Sequence, residues 1–245
     1  KHRLLSQFGD PETLYHSTDT KIESKDLTDA EEILKKCNQK GISILSIDDP
    51  AYPARLRNTP DAPILLYYKG ILPDWDAVPF IGVVGTRKAS TYGLQTAKRM
   101  GYQIGKCGGI VVSGMAYGID GLAMSGALTA GAVTVGVLGC GADLVYPISN
   151  RALFRDVENY GCILSEFPPG TQPAKWTFPK RNRIISGLCN GILVVEAPHK
   201  SGALITDVTG VKGSIVYKIQ EMLRPDVEFI AAHPMAGREV SGVEN

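Results

Sequence analysis

The chain predicts an α/β protein, a doubly wound and mostly parallel sheet preceded by a small helical module over residues 1–40. Two observations carry this. From Phe80 onward, short apolar β-branched runs alternate with longer stretches whose apolar positions recur at helical spacing, the rhythm of consecutive βαβ units. Each run also ends in a glycine- or serine-containing loop that opens a helix, which gathers those loops at the carboxyl edge of a parallel sheet. A length of 245 residues suits one large domain and a small accessory one.

The leader is polar and helix-prone: LLSQFGDPETLY precedes LTDAEEILKKCNQKG, where Leu27-Thr28-Asp29 caps a helix that stops before Gly41. Residues 42–47 alternate as a strand, 48–53 turn, and 60–70 form a strand that approaches the main sheet. The organising unit spans residues 80–120. Its first strand, 80–84, runs into the tight loop Gly85-Thr86-Arg87, and Ser90 opens a helix; its second, 110–112, breaks at Ser113-Gly114 and feeds a helix beginning near Gly118-Ile119-Asp120. That helix ends at Gly131. A strand over 133–138 leads into Gly139-Cys140-Gly141, residues 146–150 cap a helix to about Tyr160, and 162–166 form a strand before the turn at 167–170. Residues 178–183 then open the apolar helix 184–188, 191–196 is a further strand, and 201–206 enters another helix.

Composition narrows the function. With 44% hydrophobic and 21% charged residues, no apolar run long enough to cross a membrane and no signal-peptide core in KHRLLSQFGD, the chain is expected in the cytoplasm. It opens on Lys1 without Met and stops at Asn245 in mid-pattern, as a piece of a longer protein would. The five cysteines form no CxxC pair and read as buried reduced thiols. Lys and Arg number 26 against 25 Asp and Glu, so any attraction for a polyanion must come from a local cluster.

Two such clusters stand out. The helix N-termini behind Gly85-Thr86-Arg87 and Ser113-Gly114 offer amide donors, and Arg87 with Lys88 stands just past a strand end, a placement suited to a phosphodiester. A solvated surface pair is the competing role. Lys180, Arg181 and Arg183 crowd a helix N-terminus, where the macrodipole disfavours cations unless an anion sits among them. At least one of these arginines is expected to pair with Glu166 or Glu196, while Asn182 caps the helix or bonds a base edge or sugar. Tyr146, Trp176 and Phe178 are candidates for stacking on unpaired bases, with packing at the proline turns as the alternative. No cofactor is expected: Gly85-Thr86-Arg87 is not GxGxxG, and no acid closes a second strand where a dinucleotide ribose needs one. Nor is a catalytic triad, HExxH or zinc-type spacing present; Asp120 and Glu166 suit capping and pairing.

In chain order, GVVGTRKASTYG, VVSGMAYGIDGLAMSGAL, GVLGCGADLVYP, SEFPPG, FPKRNRIISGL and VVEAPHKSGALIT resemble the motifs of the DNA-processing protein DprA (Smf) family. LLSQFGDPETLY and DDPAYPARLRNTPDAPILLYYKG fit it too, so the resemblance covers residues 1–206. It implies a partial SAM- or HhH-like helical module at 1–40 and an extended Rossmann-like domain at 41–206. It further implies a homodimer that binds single-stranded DNA, protects it during natural transformation and loads the RecA recombinase, without catalysis. Carried onto this chain, the resemblance makes Gly85, Thr86, Arg87, Ser113, Gly114, Lys180, Arg181, Asn182 and Arg183 the lining of a positively charged DNA pocket. Met124 departs from it, standing where the family has His in GIDxxAH.

Residues 207–245 depart further. ITDVTGVKGSIVYKIQEMLRPDVEFIAAHPMAGREVSGVEN is similar to the middle of a prephenate dehydrogenase, in which the His of HPMAG, here His233, contacts the substrate hydroxyl and assists its oxidation. The nicotinamide-binding half is missing and Thr209-Gly210 replace the Gly-Ser of that family, so the junction reads as a fused or mis-assembled frame, with a diverged tail as the alternative. Replacing the end of the Rossmann-like domain bears on dimerisation, which in the resembled family uses that end. Two enzymes compete with the DNA-binding reading. One is a nucleotide-processing enzyme of a related Rossmann-like class, whose PGGxGTxxE signature is absent; the other is a dehydrogenase fragment.

Overall fold

A computed structural model describes residues 11–17 and 27–197 of the chain, which divides into two units, residues 1–41 and 42–245. In the first unit α1 (Pro11–His16) and α2 (Thr28–Lys40) are helical. Asp29 and Glu31 in the first turn of α2 and Lys40 in its last complement the macrodipole. The helix stops at Gly41, which adopts φ 61° and returns its amide to the carbonyls of Cys37 and Asn38. Thr28 lies inside the helix, and Leu27 occupies the cap position without a side-chain bond.

The second unit is built on a seven-stranded sheet. Its strands are β1 (Ser43–Ser46), β2 (Leu65–Gly70), β3 (Phe80–Val84), β4 (Ile110–Ser113), β5 (Thr134–Leu138), β6 (Cys162–Ser165) and β7 (Gly191–Val194), in the spatial order β1-β2-β6-β5-β4-β3-β7. From β6 to β7 every pairing is parallel, whereas β1 and β2 run antiparallel along the other edge. The parallel strands are buried on both faces, which is why they read as unbroken apolar runs, while β2 keeps an exposed end.

Helices cover both faces. On one, α4 (Thr91–Lys106), α5 (Ile119–Thr129) and α6 (Arg151–Tyr160) supply Ala97, Met100, Ile104, Ala123, Met124, Phe154 and Val157 to a cluster with Ile81, Val83, Val111 and Ile163. On the other, α3 (Ala54–Arg57) and α7 (Thr177–Leu188) bury Leu56, Ile184, Ile185 and Leu188 against Phe80, Val112, Val135 and Leu164. The doubly wound α/β architecture expected from the alternating pattern is therefore the one observed. Met124 is fully buried in the first cluster, so position 124 faces the core. Four cysteines are buried and Cys107 is exposed; burial pushes the Cys140 thiol up to about 11.

The α4–α5 contact is backbone on backbone. A Cβ at Gly101 would overlap the Ala123 carbonyl, and one at Gly126 would overlap the Lys98 carbonyl. Gly101→Ala gains about 1 kcal/mol of helix propensity. It also forces two packed helices apart, an overpacking cost of about 1–3 kcal/mol. The expected result is a net loss of stability in urea unfolding; an unchanged or raised midpoint would refute the close approach.

Order along the sheet places the functional edge. The connections β3-α4-β4, β4-α5-β5 and β5-α6-β6 step one way, whereas α7 carries the chain back across the opposite face to β7 on the far side of β3. The winding direction changes at β3, and the crevice at its carboxyl end is where open α/β sheets take ligands. Arg87 stands there. No helix among the described residues is long and apolar enough to cross a membrane.

Candidate nucleic-acid interface

The two helix N-termini expected to hold phosphate are already occupied by carboxylates of the protein. Behind β4, Asp120 in the first turn of α5 is buried and accepts the Gly114 amide at 3.2 Å, together with those of Gly85 and Ala116. Behind β3, Ser90 caps α4 by accepting the Gly93 amide at 3.0 Å. Glu196, arriving from β7, accepts the Ser90 amide at 3.0 Å and the Ser90 hydroxyl at 2.7 Å. The Thr86 amide donates to the Glu196 carbonyl at 2.7 Å. A carboxylate satisfies the same amides and the same dipole as a phosphate would. The expectation that Gly85, Thr86 and Gly114 present amides to an outside anion is corrected accordingly.

Glu196 thus stabilises α4 from the neighbouring strand. Glu196→Gln keeps an acceptor and loses the charge, an expected cost of about 0.5 kcal/mol. Glu196→Ala loses the bonds as well and should cost about 1 kcal/mol, comparable with deleting a cap. Thermal unfolding in that order checks it; equal midpoints for both variants and the parent would remove Glu196 from the capping role.

Arg181 is likewise turned inward. It is 4% exposed and donates to the carbonyls of Gly114, at 2.9 Å, and Val137, and to the Asn182 side-chain oxygen at 3.2 Å. Gly114 bridges it to Asp120, donating its amide to the carboxylate while its carbonyl oxygen accepts from the guanidinium. Only glycine fits between them, since a Cβ at position 114 would overlap the guanidinium. Burial pulls Arg181 below its ordinary value, with Asp120 opposing and the nearby Arg87 reinforcing. Burial pushes the Asp120 carboxyl up, with Arg181 and the three amides opposing. The anion that the crowded helix start calls for is therefore internal.

Ser113 is fully buried and donates its hydroxyl to the Val83 carbonyl at 2.6 Å, tying β4 to β3 rather than lining a surface. Arg183 is held by Glu166 at 2.5 Å and Asp61 at 3.1 Å, which fulfils the expectation that one arginine pairs with Glu166. Glu166 also draws Lys180 to 3.5 Å, yet that lysine stays half exposed, its ammonium 5.4 Å from the Phe167 ring centre. The charges of Arg181 and Arg183 are spent inside the fold.

What the rim does present is a cation among aromatic rings. The exposed Arg87 guanidinium lies 4.9 Å from the centre of the Phe178 ring, and Tyr146 lies 5.7 Å from the same ring on a tilted plane. Tyr146 is 41% exposed and Tyr117 is 50% exposed. Arg87, Tyr117, Tyr146 and Phe178 line one shallow pocket floored by Gly114 and Ala116 and closed by Pro147. Trp176, 63% exposed, meets Phe167 edge-on at 5.7 Å nearby. Tyr117 is absent from the residues picked out by sequence. Its signal is an aromatic carried between Gly114 and Gly118 in a strand-to-helix loop, and the loop is turned outward by Met115, whose left-handed φ of 55° is held by a fully buried side chain.

Chemically this is a surface for a flat ring and an adjoining negative charge. Guanidinium on ring and ring on ring leave π-faces and cationic edges open to solvent. Among the described residues no group of three or more His, Cys, Asp or Glu is placed to hold a metal ion. His233 and the rest of residues 207–245 lie outside the described residues.

Comparison with known proteins gives relatives of this chain in sequence and in fold. Residues 43–222 match the family model of DNA recombination-mediator protein A, beyond the 206 at which the motifs read from sequence end. The chain is 44% identical over 178 residues to Protein Smf of Synechocystis, covering 71% of this chain and 45% of that protein. It is 43% identical over 180 residues to the DNA processing protein DprA of Streptococcus pneumoniae, covering 70% and 63%. The chain thus spans about half to under two thirds of the length of these curated relatives. The X-ray structure of DprA from Streptococcus pneumoniae superposes with a TM-score of 0.69 at 37% identity, over 86% of this chain and 77% of that one. A structure of DprA from Helicobacter pylori, described for its single-stranded DNA binding mode, superposes with a TM-score of 0.62 at 28% identity over 68% and 74%.

Proposed function

The chain belongs to the DNA recombination-mediator protein A family, and from that premise we propose that the Arg87 rim binds single-stranded DNA, taking an unpaired base against its aromatic side chains and the adjoining phosphates on Arg87, Lys88 and Lys180. The observation that carries this reading is the guanidinium of Arg87 stacked on Phe178 beside Tyr146 and Tyr117, open at the carboxyl edge of the sheet. Stacking needs a base freed from its partner, so the site favours single strands over duplex. The relative from Helicobacter pylori is described for such a binding mode.

Gly85, Thr86, Ser113, Gly114, Arg181 and Asn182 serve the same site from behind, by shaping the loops on which Arg87 and Tyr117 stand, while Arg183 is held by Glu166 and Asp61. The protein works by binding rather than by catalysis, in the cytoplasm, protecting incoming strands in transformation and handing them to RecA as a dimer. The last three roles rest on the family resemblance. Fluorescence anisotropy with a labelled single strand and its duplex, from 50 to 200 mM salt, tests the binding role. A single strand bound more tightly, with affinity falling steeply in salt, is expected; equal or absent binding overturns the assignment.

A further inference from the structure

We propose that α4 is a second, phosphate-tracking surface, along which the same single strand continues from the rim toward the far end of the sheet; this rests on the reading of the rim above. The sequence of α4, TYGLQTAKRMGYQIGK, contains no acidic residue. Its buried positions, Gly93, Ala97, Met100, Gly101 and Ile104, lie on one side. The opposite side carries Gln95, Lys98, Arg99, Tyr102 and Lys106 on one broad face, about 100° wide from Lys98 to Arg99.

Several features set this face apart from an ordinary solvated one. Among the described residues no ion pair engages Lys98, Arg99 or Lys106, although five other cation–carboxylate pairs form. The close approach of α4 and α5 leaves a groove of about 320 Å³ lined by Gln95, Lys98, Arg99, Tyr102, Gly126 and Thr129, without an acid in its wall. Asp156 lines the adjoining cleft, which shares only Thr129 with this groove. Lys106 stands 5.5 Å from the Tyr102 ring centre, repeating the pairing of cation and aromatic found at Arg87 and Phe178.

Continuity selects the occupant. Arg87 and Lys88 immediately precede α4, whose 16 residues extend about 24 Å from the rim. A strand leaving the pocket therefore meets cations in register down one helix face, with Tyr102 available to a base. An acidic protein surface would also find charge here, but the cations begin at the pocket where a base is held, which favours one continuous polyanion.

Binding of labelled oligothymidylates of about 6 and about 20 nucleotides separates the two surfaces. The triple variant Lys98→Ala, Arg99→Ala, Lys106→Ala should hold the short oligomer as the parent does. It should bind the long one roughly tenfold more weakly, with the slope of log K against log salt smaller by about 2, near 0.7 for each lost phosphate contact. Arg87→Ala should weaken both oligomers. A triple variant that binds the long oligomer like the parent, with an unchanged slope, overturns this proposal alone and leaves the face to an acidic protein. A parent protein that binds neither oligomer overturns the rim reading and this one with it.

Discussion

Arg181→Met is expected to destabilise the fold by about 3–5 kcal/mol, the cost of leaving a buried charge without its compensating partner. The methionine fills much of the same space among the residues of α7, so the loss is electrostatic. Asp120 stays buried with only its three amide donors to balance it, and the Gly114 and Val137 carbonyls lose the guanidinium. Adding Asp120→Asn removes the stranded charge and should recover part of the loss. A single variant as stable as the parent in urea, or a double variant no better than the single one, would show that the two groups are not coupled.

The same pair fixes the sign of a pH effect. Burial holds the folded-state pKa of Asp120 above its unfolded value. Below the unfolded value both states keep the proton and the carboxyl costs nothing. As pH climbs toward the folded value the unfolded chain ionises first, so stability falls through that window. Removing Arg181 takes away an opposing influence, raises the folded pKa further and widens the window. Arg181→Met should therefore lose more stability than the parent between acid and neutral pH, read from urea midpoints across that range.

These residues also show what the sequence carries and what it does not. The sheet was legible because parallel strands buried on both faces are apolar throughout, and because each strand-to-helix loop contains Gly or Ser. The conflict at Lys180, Arg181 and Arg183 was legible too, as cations at the wrong end of a dipole. Its resolution was not, because the helix starts at Thr177 and this phases Arg181 onto the buried side with Ile184, Ile185 and Leu188. The spacing 181-184-185-188 is an apolar stripe with an arginine in it, and that was the available clue. The occupants of the helix N-termini come from far along the chain: Glu196 reaches Ser90 across 106 residues, a pairing that only the order β4-β3-β7 creates. Tyr117 was hidden for a different reason, since a single exposed aromatic in a loop acquires meaning only when Arg87, Tyr146 and Phe178 arrive from other loops.

Removing the stacked pair should then have the largest effect on binding. With Arg181 and Arg183 committed to internal partners, the charge available at the rim rests on Arg87, Lys88 and Lys180, and Arg87 alone lies over a ring within the pocket. Arg87→Ala deletes one phosphate contact and should flatten the salt slope by about 0.7. Phe178→Ala deletes the platform beneath both Arg87 and Tyr146, and losing a stacked base costs about 1–3 kcal/mol, roughly five- to 150-fold in affinity. Because both act on one stack, their combined loss should be smaller than the sum of the separate losses. Arg87→Lys discriminates charge from stacking: it keeps the salt slope but loses the planar guanidinium on Phe178, so its affinity should fall between those of the parent and Arg87→Ala. If Arg87→Lys binds a single strand as the parent does, charge alone suffices at position 87; if Phe178→Ala does so, the aromatic pocket is not where the base sits.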